Sequence, residues 1–252
     1  MINAFYKKYQ KHFDVSENNF AHFVMWSCGG ICIGFVIGLV GIAFHLALEW
    51  ATEFRTAHPM LLWLLPFGGL AIVLAYRLAG QEKDRGTNFI LVAVRANEAV
   101  TLRTAPLIFF STVVTHLLGG SAGREGAALQ LGGSIASSFG RMFQLNEREG
   151  RIMTMCGMAA GFAALFGTPL TSVIFAMEVI TVGVMHYSAI VPCIISALVA
   201  AGLSQAVGIA PTTFSIAHIP AAVGLENCFR AAVLGVLCAI LSVLFCIVME
   251  KS

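Results

Sequence analysis

The chain has 252 residues, of which 58% are hydrophobic and only 11% charged, and its mean hydropathy is +0.84. A soluble domain carries about 25% charged residues, so the composition excludes a water-exposed globular surface and makes the chain an integral membrane protein. A net charge of +2 without a long basic stretch gives no nucleic-acid signal, and no nucleic-acid partner is predicted.

Length alone allows roughly seven to ten membrane segments, some of them short. The opening "MINAFYKKYQKHFDVSENNFAHF" is polar, with no early apolar core and no small-residue cleavage site. That predicts a cytoplasmic lead-in over residues 1–22 and not a signal peptide. Lys7, Lys8 and Lys11 ahead of the first apolar run place this end in the cytoplasm by the positive-inside rule.

The first apolar run, Phe23 to Thr52, exceeds the twenty or so residues a bilayer needs, which predicts a long, tilted helix. Gly30, Gly34 and Gly38 recur every fourth residue, a stripe that lets a second helix approach closely. Met60 to Gly80 reads as a single span. After the charged stretch "GQEKDRG", the segment from Asn88 to Val100 is interrupted by Arg95 and Glu98 and predicts a half-helix. Thr104 to Leu118 is apolar but short. A glycine cluster follows, then a weakly apolar helix from about Ala127 to Phe143. "NEREGR", residues 146–151, reads as a water-facing break. Ile152 to Phe166 is apolar, "GTP" at 167–169 interrupts it, and Leu170 to Val182 restarts. Ala189 to Val207 is a fuller span, residues 208–226 a loop, and Phe229 to Met249 the last span.

Short, broken segments between long ones are informative. Non-helical backbone cannot face lipid, because its N–H and C=O groups would go unpaired; it is tolerated inside protein or along a watery cavity. Broken helices near the membrane midplane mark ion and substrate sites in transporters.

The stretch "GGSAGREGAALQLGGS", residues 119–134, puts Arg124 and Glu125 side by side in such a break. Gly119, Gly120, Gly123 and Gly126 allow a sharp turn and close approach of a ligand to the backbone. A helix starting there aims free N–H groups and a positive dipole end at its surroundings, which favours an anion. Glu125 stands at that start. Its ionised carboxylate can occupy the site, and a mobile anion can replace it when it is protonated. The alternative is an Arg124–Glu125 ion pair holding the loop, which adjacent residues are poorly placed to make. A phosphate loop is a third possibility, but it requires GxxxxGK[ST] after a strand; here arginine and glutamate follow the glycine.

His45 and His116 lie in apolar runs and read as satisfied interior histidines, and Glu49 and Glu53, near a helix end, as water-facing. Met153, Met155 and Met158 read as packing. The seven cysteines are scattered with no zinc-like spacing and read as small buried hydrophobes. No metal, cofactor or catalytic triad is predicted, and the chain reads as a non-enzyme.

The residues 123–136, "GREGAALQLGGSIA", resemble the GREGP-x-x-Q-x-GG signature of the CLC family of chloride channels and anion/proton exchangers, matching at Gly123, Arg124, Glu125, Gly126, Gln130, Gly132 and Gly133. "GMAAGFAALFGTPLTSVIFAMEV", residues 157–179, resembles the helix pair that follows, through Gly161, Phe166, Pro169, Leu170, Phe175 and Glu178. Alanine after GREG, "GTNFIL" at 86–91 and "FGTPL" at 166–170 are most like the bacterial fluoride/proton antiporter branch.

The resemblance implies an all-α polytopic membrane protein with broken or re-entrant helices, one half of a CLC-type inverted-repeat fold. The first repeat would cover residues 23–226, and 227–252 would be the first helix of an incomplete second repeat. It makes Glu125 the gate and proton carrier. The anion site would be formed by Gly86, Thr87 and Asn88 with Gly123, Arg124, Gly126 and Ala127. Thr87 takes the position of the serine in the GSGIP motif of chloride-selective members. Glu178 is expected to be a structural carboxylate bonded to helix-start N–H groups, or a proton group; Val179 stands where chloride exchangers carry an internal proton glutamate. The implied partners are fluoride or chloride, a proton, the lipid bilayer of a bacterial inner membrane and a second copy in a homodimer. The alternatives are a voltage-gated-type chloride channel, or a split or truncated remnant that transports only with a separately encoded second half.

Overall fold

The structure is a computed structural model and describes residues 19–81, 92, 100–180, 187–209 and 224–251. The half-helix expected from Asn88 and the candidate anion residues Gly86, Thr87 and Asn88 lie outside them.

All described elements are helical. In chain order they are α1 (Asn19–Ala57), a 3-10 helix (Pro59–Leu64), α2 (Leu65–Leu78), α3 (Thr104–Leu117), α4 (Arg124–Met142), α5 (Glu147–Phe166), α6 (Pro169–Glu178), a short 3-10 turn (Tyr187–Ala189), α7 (Ile190–Ala206) and α8 (Leu225–Lys251). Among the described residues, four stretches are long and apolar enough to cross a membrane: Phe23–Ala57, Pro59–Leu78, Tyr187–Ala206 and Leu225–Met249. α3 and α6 are apolar but shorter. α8 forms a separate unit with exposed side chains, and Arg230 pairs with Glu226 one turn before it.

α1 has 39 residues, about 58 Å of helix at 1.5 Å per residue, roughly twice the hydrocarbon thickness. It runs longer than the apolar stretch at both ends. Its glycine stripe does what the spacing predicts. A Cβ on Gly30 would stand 2.9 Å from Pro192 O, one on Gly34 2.5 Å from Ser196 O, and one on Gly38 3.1 Å from Ala200 Cα. Each glycine therefore seats the backbone of α7 directly, one turn after another.

α5 lies at the centre, packed on α4, α7, α1 and α6. Residues 152–161 are buried without interruption. A helix that is apolar all round has no solvent face, so burial follows from its composition. Gly132 of α4 and Gly157 of α5 touch through their backbones, and a Cβ on either would overlap the other's carbonyl.

Three expectations change. "NEREGR" is not a break but the first turn of α5. Asn146 Oδ1 accepts from Glu149 N–H at 3.0 Å while Asn146 N–H donates to Glu149 Oε2 at 3.0 Å. This reciprocal cap, with acidic side chains at the positive helix end, lets a charged sequence start a helix. The span from Met60 begins as a 3-10 helix after Pro59 and becomes α only at Leu65. The cysteines divide: Cys156 and Cys193 are buried with Sγ atoms 3.6 Å apart, and the other five are exposed. Exposed apolar side chains are ordinary on membrane helices, so an apolar run alone does not report burial. Met153, Met155 and Met158 are buried as packing residues.

Candidate functional site

The break between α3 and α4 is built by glycine geometry. Gly119 has φ +82°, a left-handed backbone conformation that glycine adopts without strain. Its N–H donates to His116 O at 3.2 Å, and Gly120 N–H donates to Thr115 O at 2.8 Å. These two bonds close α3 in a Schellman cap. The chain then extends to Gly123, with φ −74° and ψ 143°, which precedes α4.

Gly123 has no side chain to cap α4, and no side chain among the described residues does so. The first N–H groups of α4 are thus left for an external acceptor, at the positive end of a 19-residue helix. Arg124, Glu125, Gly126 and Ala127 form this first turn, so the helix begins about three residues earlier than its apolar pattern predicts. Glu125 is exposed, and Ala127 begins an unbroken buried run to Ala136. The Glu125 carboxylate lies back over the helix start: a Cβ on Gly123 would stand 2.9 Å from Glu125 Oε2. Arg124 and Glu125 make no ion pair with each other.

A cavity of about 560 Å³ opens beside this turn, lined by His45, Glu49, Thr52 and Glu53 of α1, His116 of α3 and Arg124 of α4. His116 Nδ1 lies 2.9 Å from Thr112 O. A carbonyl only accepts, so Nδ1 carries the hydrogen and Nε2 is left as the acceptor. His45 is different. Its Nε2 is 4.0 Å from Glu49 Oε2, while its buried Nδ1 has no hydrogen-bond partner among the described residues. The expectation that both histidines are satisfied holds for His116 and fails for His45. Glu49 and Glu53 are exposed, as expected. The signal for this cluster was present: His45, Glu49 and Glu53 recur every fourth residue and share one helix face.

A second break lies between α5 and α6. Gly167, at φ +65°, ends α5, and Pro169 is the first residue of α6, where its missing N–H costs nothing. Glu178 is the last residue of α6 and is exposed. None of the described helix starts donates to it, and it sits at a helix C-terminus, where the dipole disfavours a carboxylate. No group of metal-ligating side chains occurs among the described residues.

The family model described as "Voltage gated chloride channel" matches residues 67–252. A chloride/fluoride channel protein of Pseudomonas syringae pv. tomato is 40% identical over 188 residues, which cover 74% of this chain and 42% of that protein. An H(+)/Cl(-) exchange transporter of Cronobacter sakazakii is 34% identical over 160 residues, covering 58% of this chain and 34% of that one. The chain thus spans less than half the length of these curated relatives. Among solved structures, a CLC-type fluoride/proton antiporter superposes with a TM-score of 0.76 at 31% identity, over 88% of this chain and 56% of that one. A slow cyanobacterial Cl-/H+ antiporter superposes with a TM-score of 0.63 at 21% identity, which shows the fold alone. Long apolar helices, two glycine-built breaks and an uncapped helix start bearing Glu125 agree with these likenesses: the chain belongs to the voltage gated chloride channel (CLC) family of membrane anion transporters.

Proposed function

We propose that the chain supplies half of a proton-coupled halide pathway in which Glu125 is the gate and the proton carrier. The observation that carries this reading is the uncapped start of α4 with the Glu125 carboxylate lying over Gly123. Ionised, Glu125 is the tethered anion of its own helix start. Protonated, it loses its attraction to the dipole and yields the place to a halide, which then meets the N–H groups of Gly126 and Ala127 and the nearby charge of Arg124. Gly86, Thr87 and Asn88 are proposed as further donors, a hydroxyl and an amide suited to a small anion. Glu178 is exposed and unbonded among the described residues, so it is proposed as a proton group more than as a structural one.

Fluoride is favoured over chloride. Threonine and asparagine replace the serine motif of chloride-selective members, and a similar solved structure is named for fluoride while a similar curated protein is named for both ions. The working unit is proposed as a homodimer in the inner membrane in which residues 23–226 act as one repeat and 227–252 start the next, with the second half of the pathway supplied by another segment. A helix start that binds an anion on one side leaves the other side of the ion to be coordinated.

The test is ion flux from proteoliposomes loaded with fluoride or chloride while pH is recorded, with the chain alone and with a second-half polypeptide. Fluoride efflux against proton uptake is expected, and Glu125→Gln should abolish the proton movement. Proton-independent chloride flux would make it a channel. Proton movement retained in Glu125→Gln would remove the glutamate from the mechanism.

A further inference from the structure

The cavity between α1, α3 and α4 holds groups that the gate does not use. It is a mixed electrostatic site: one fixed cation, Arg124, two carboxylates, Glu49 and Glu53, and two imidazoles, His45 and His116. With both histidines neutral, the lining carries a net charge of −1. With both protonated it carries +1. We propose that this cavity is a second anion-binding site, an antechamber to the α4 start that admits a small monovalent anion when His45 and His116 are protonated and repels it when they are neutral.

Geometry supports both proton acceptors. His116 Nδ1–H is committed to Thr112 O, so its Nε2 lone pair is available to a proton. His45 has a buried Nδ1 without a partner among the described residues, in a cavity large enough for several waters or a hydrated ion. Its Nε2 faces Glu49, 58% exposed, at 4.0 Å. The charged groups on the other elements packed on α1 are few. α7 contains no charged side chain, and its Cys193 is buried against Cys156. α5 has its charges in its first turns, Glu147 to Arg151. α4 adds Glu125 beside Arg124. Arg55, further along α1, lies against Gly119, where a Cβ would stand 3.3 Å from its Cδ; it is a constant cation at the margin.

Two added charges roughly 7 Å from an ion, in a wet cavity with nearly bulk screening, change its affinity by about tenfold. On the orientation that the lysines before α1 favour, this half of α1 is the outer half. The antechamber would then raise anion entry under external acid, the condition that also protonates the gate. That consequence rests on the proposed pathway; the binding itself does not.

The experiment is a sodium fluoride and sodium chloride titration of the whole chain in lipid nanodiscs, in the Glu125→Gln background so that the gate does not titrate. Arg124 Nε–H reports the cavity and Gly126 N–H the helix start. Affinity at Arg124 is expected to be about tenfold tighter at about pH 5 than at about pH 8, the range over which imidazole charge changes. Adding His45→Gln and His116→Gln should leave weak binding at both. Glu49→Gln, an exposed change with little risk to folding, should tighten binding at both. Equal affinity across pH, pH dependence surviving the histidine changes, or weaker binding with Glu49→Gln would overturn the antechamber. Loss of proton coupling in flux, or its retention, bears on the gate alone.

Discussion

Glu125 and Gly123 share one volume: the Glu125 carboxylate occupies the space in which a side chain at residue 123 would begin, with Oε2 2.9 Å from that Cβ position. The backbone of Gly123 is extended at φ −74°, open to any residue. A Cβ here would meet only the flexible end of the Glu125 side chain, so glycine leaves the carboxylate room without being required by the backbone. Gly123→Ala should keep the fold and displace the carboxylate into a less favoured rotamer, at a cost of about 1 kcal/mol. The expected outcome is a gate several-fold more easily displaced by halide, read as an increased apparent halide affinity with unchanged thermal stability. A destabilised chain with unchanged affinity would contradict it.

The contact between α4 and α5 behaves oppositely. Gly157 is pressed on the backbone of Gly132 and on Ala136 Cβ, and Gly161 on Ala128 O, where a Cβ would stand 2.7 Å away. None of these neighbours can rotate away, so Gly157→Ala must push two buried helices apart. Overpacking of this kind costs about 1–3 kcal/mol. Unfolding of the detergent-solubilised chain should show that loss. The α4 start should move with it, because α4 is held by this contact along its buried face.

How much of this is legible without coordinates depends on where the information lies. The breaks at Gly119–Gly123 and Gly167–Pro169 are local, made by residues whose own backbone chemistry ends a helix, and the sequence shows both. The glycine stripe of α1 is also local, and its spacing states its purpose without naming α7 as the partner. What escapes is of two kinds: a local signal masked by polarity, and facts made by two distant segments. The start of α5 is hidden because "NEREGR" looks polar, although Asn146 and Glu149 are at capping-box spacing. The cavity is hidden because His116 arrives from seventy-odd positions beyond His45, as only the packing of α3 on α1 shows. The apolar surroundings of Glu178 say nothing of its place at the C-terminal end of α6.

The stripe gives a test with an internal control. Gly34→Ala places a Cβ against Ser196 O and Cα, which are backbone atoms of α7, whereas Gly69 of α2 has nothing within 4 Å of its Cβ position. Gly34→Ala should therefore destabilise the chain by about 1–3 kcal/mol. Gly69→Ala should be neutral or stabilising by up to about 1 kcal/mol, since alanine is the better helix former. Thermal unfolding of the two variants side by side decides it. Similar losses in both would mean that helix propensity, and not the α1–α7 approach, sets the effect.

Arg141 offers a last handle on the break, from the far end of α4. Its Nη2 donates to Val100 O at 2.6 Å and to Ser138 Oγ at 2.9 Å, and Nη1 donates to Ser137 Oγ at 3.1 Å. Val100 is buried, at 1% exposure, just ahead of α3. The guanidinium thus ties the C-terminal end of α4 to the approach to α3, while Gly119–Gly123 joins the opposite ends of the same two helices. α3 has only 14 residues and is clamped at both ends by α4. Arg141→Gln removes the charged donor and leaves a buried carbonyl short of its partner, a loss of about 1–3 kcal/mol. Amide exchange should quicken first at Thr104 and Ala105, whose N–H groups close the first turn onto Thr101 O and Leu102 O. If the clamp matters to the gate, exchange at Gly119 and Gly120 should quicken with it; protection unchanged there would show that the break is held by its own Schellman bonds alone.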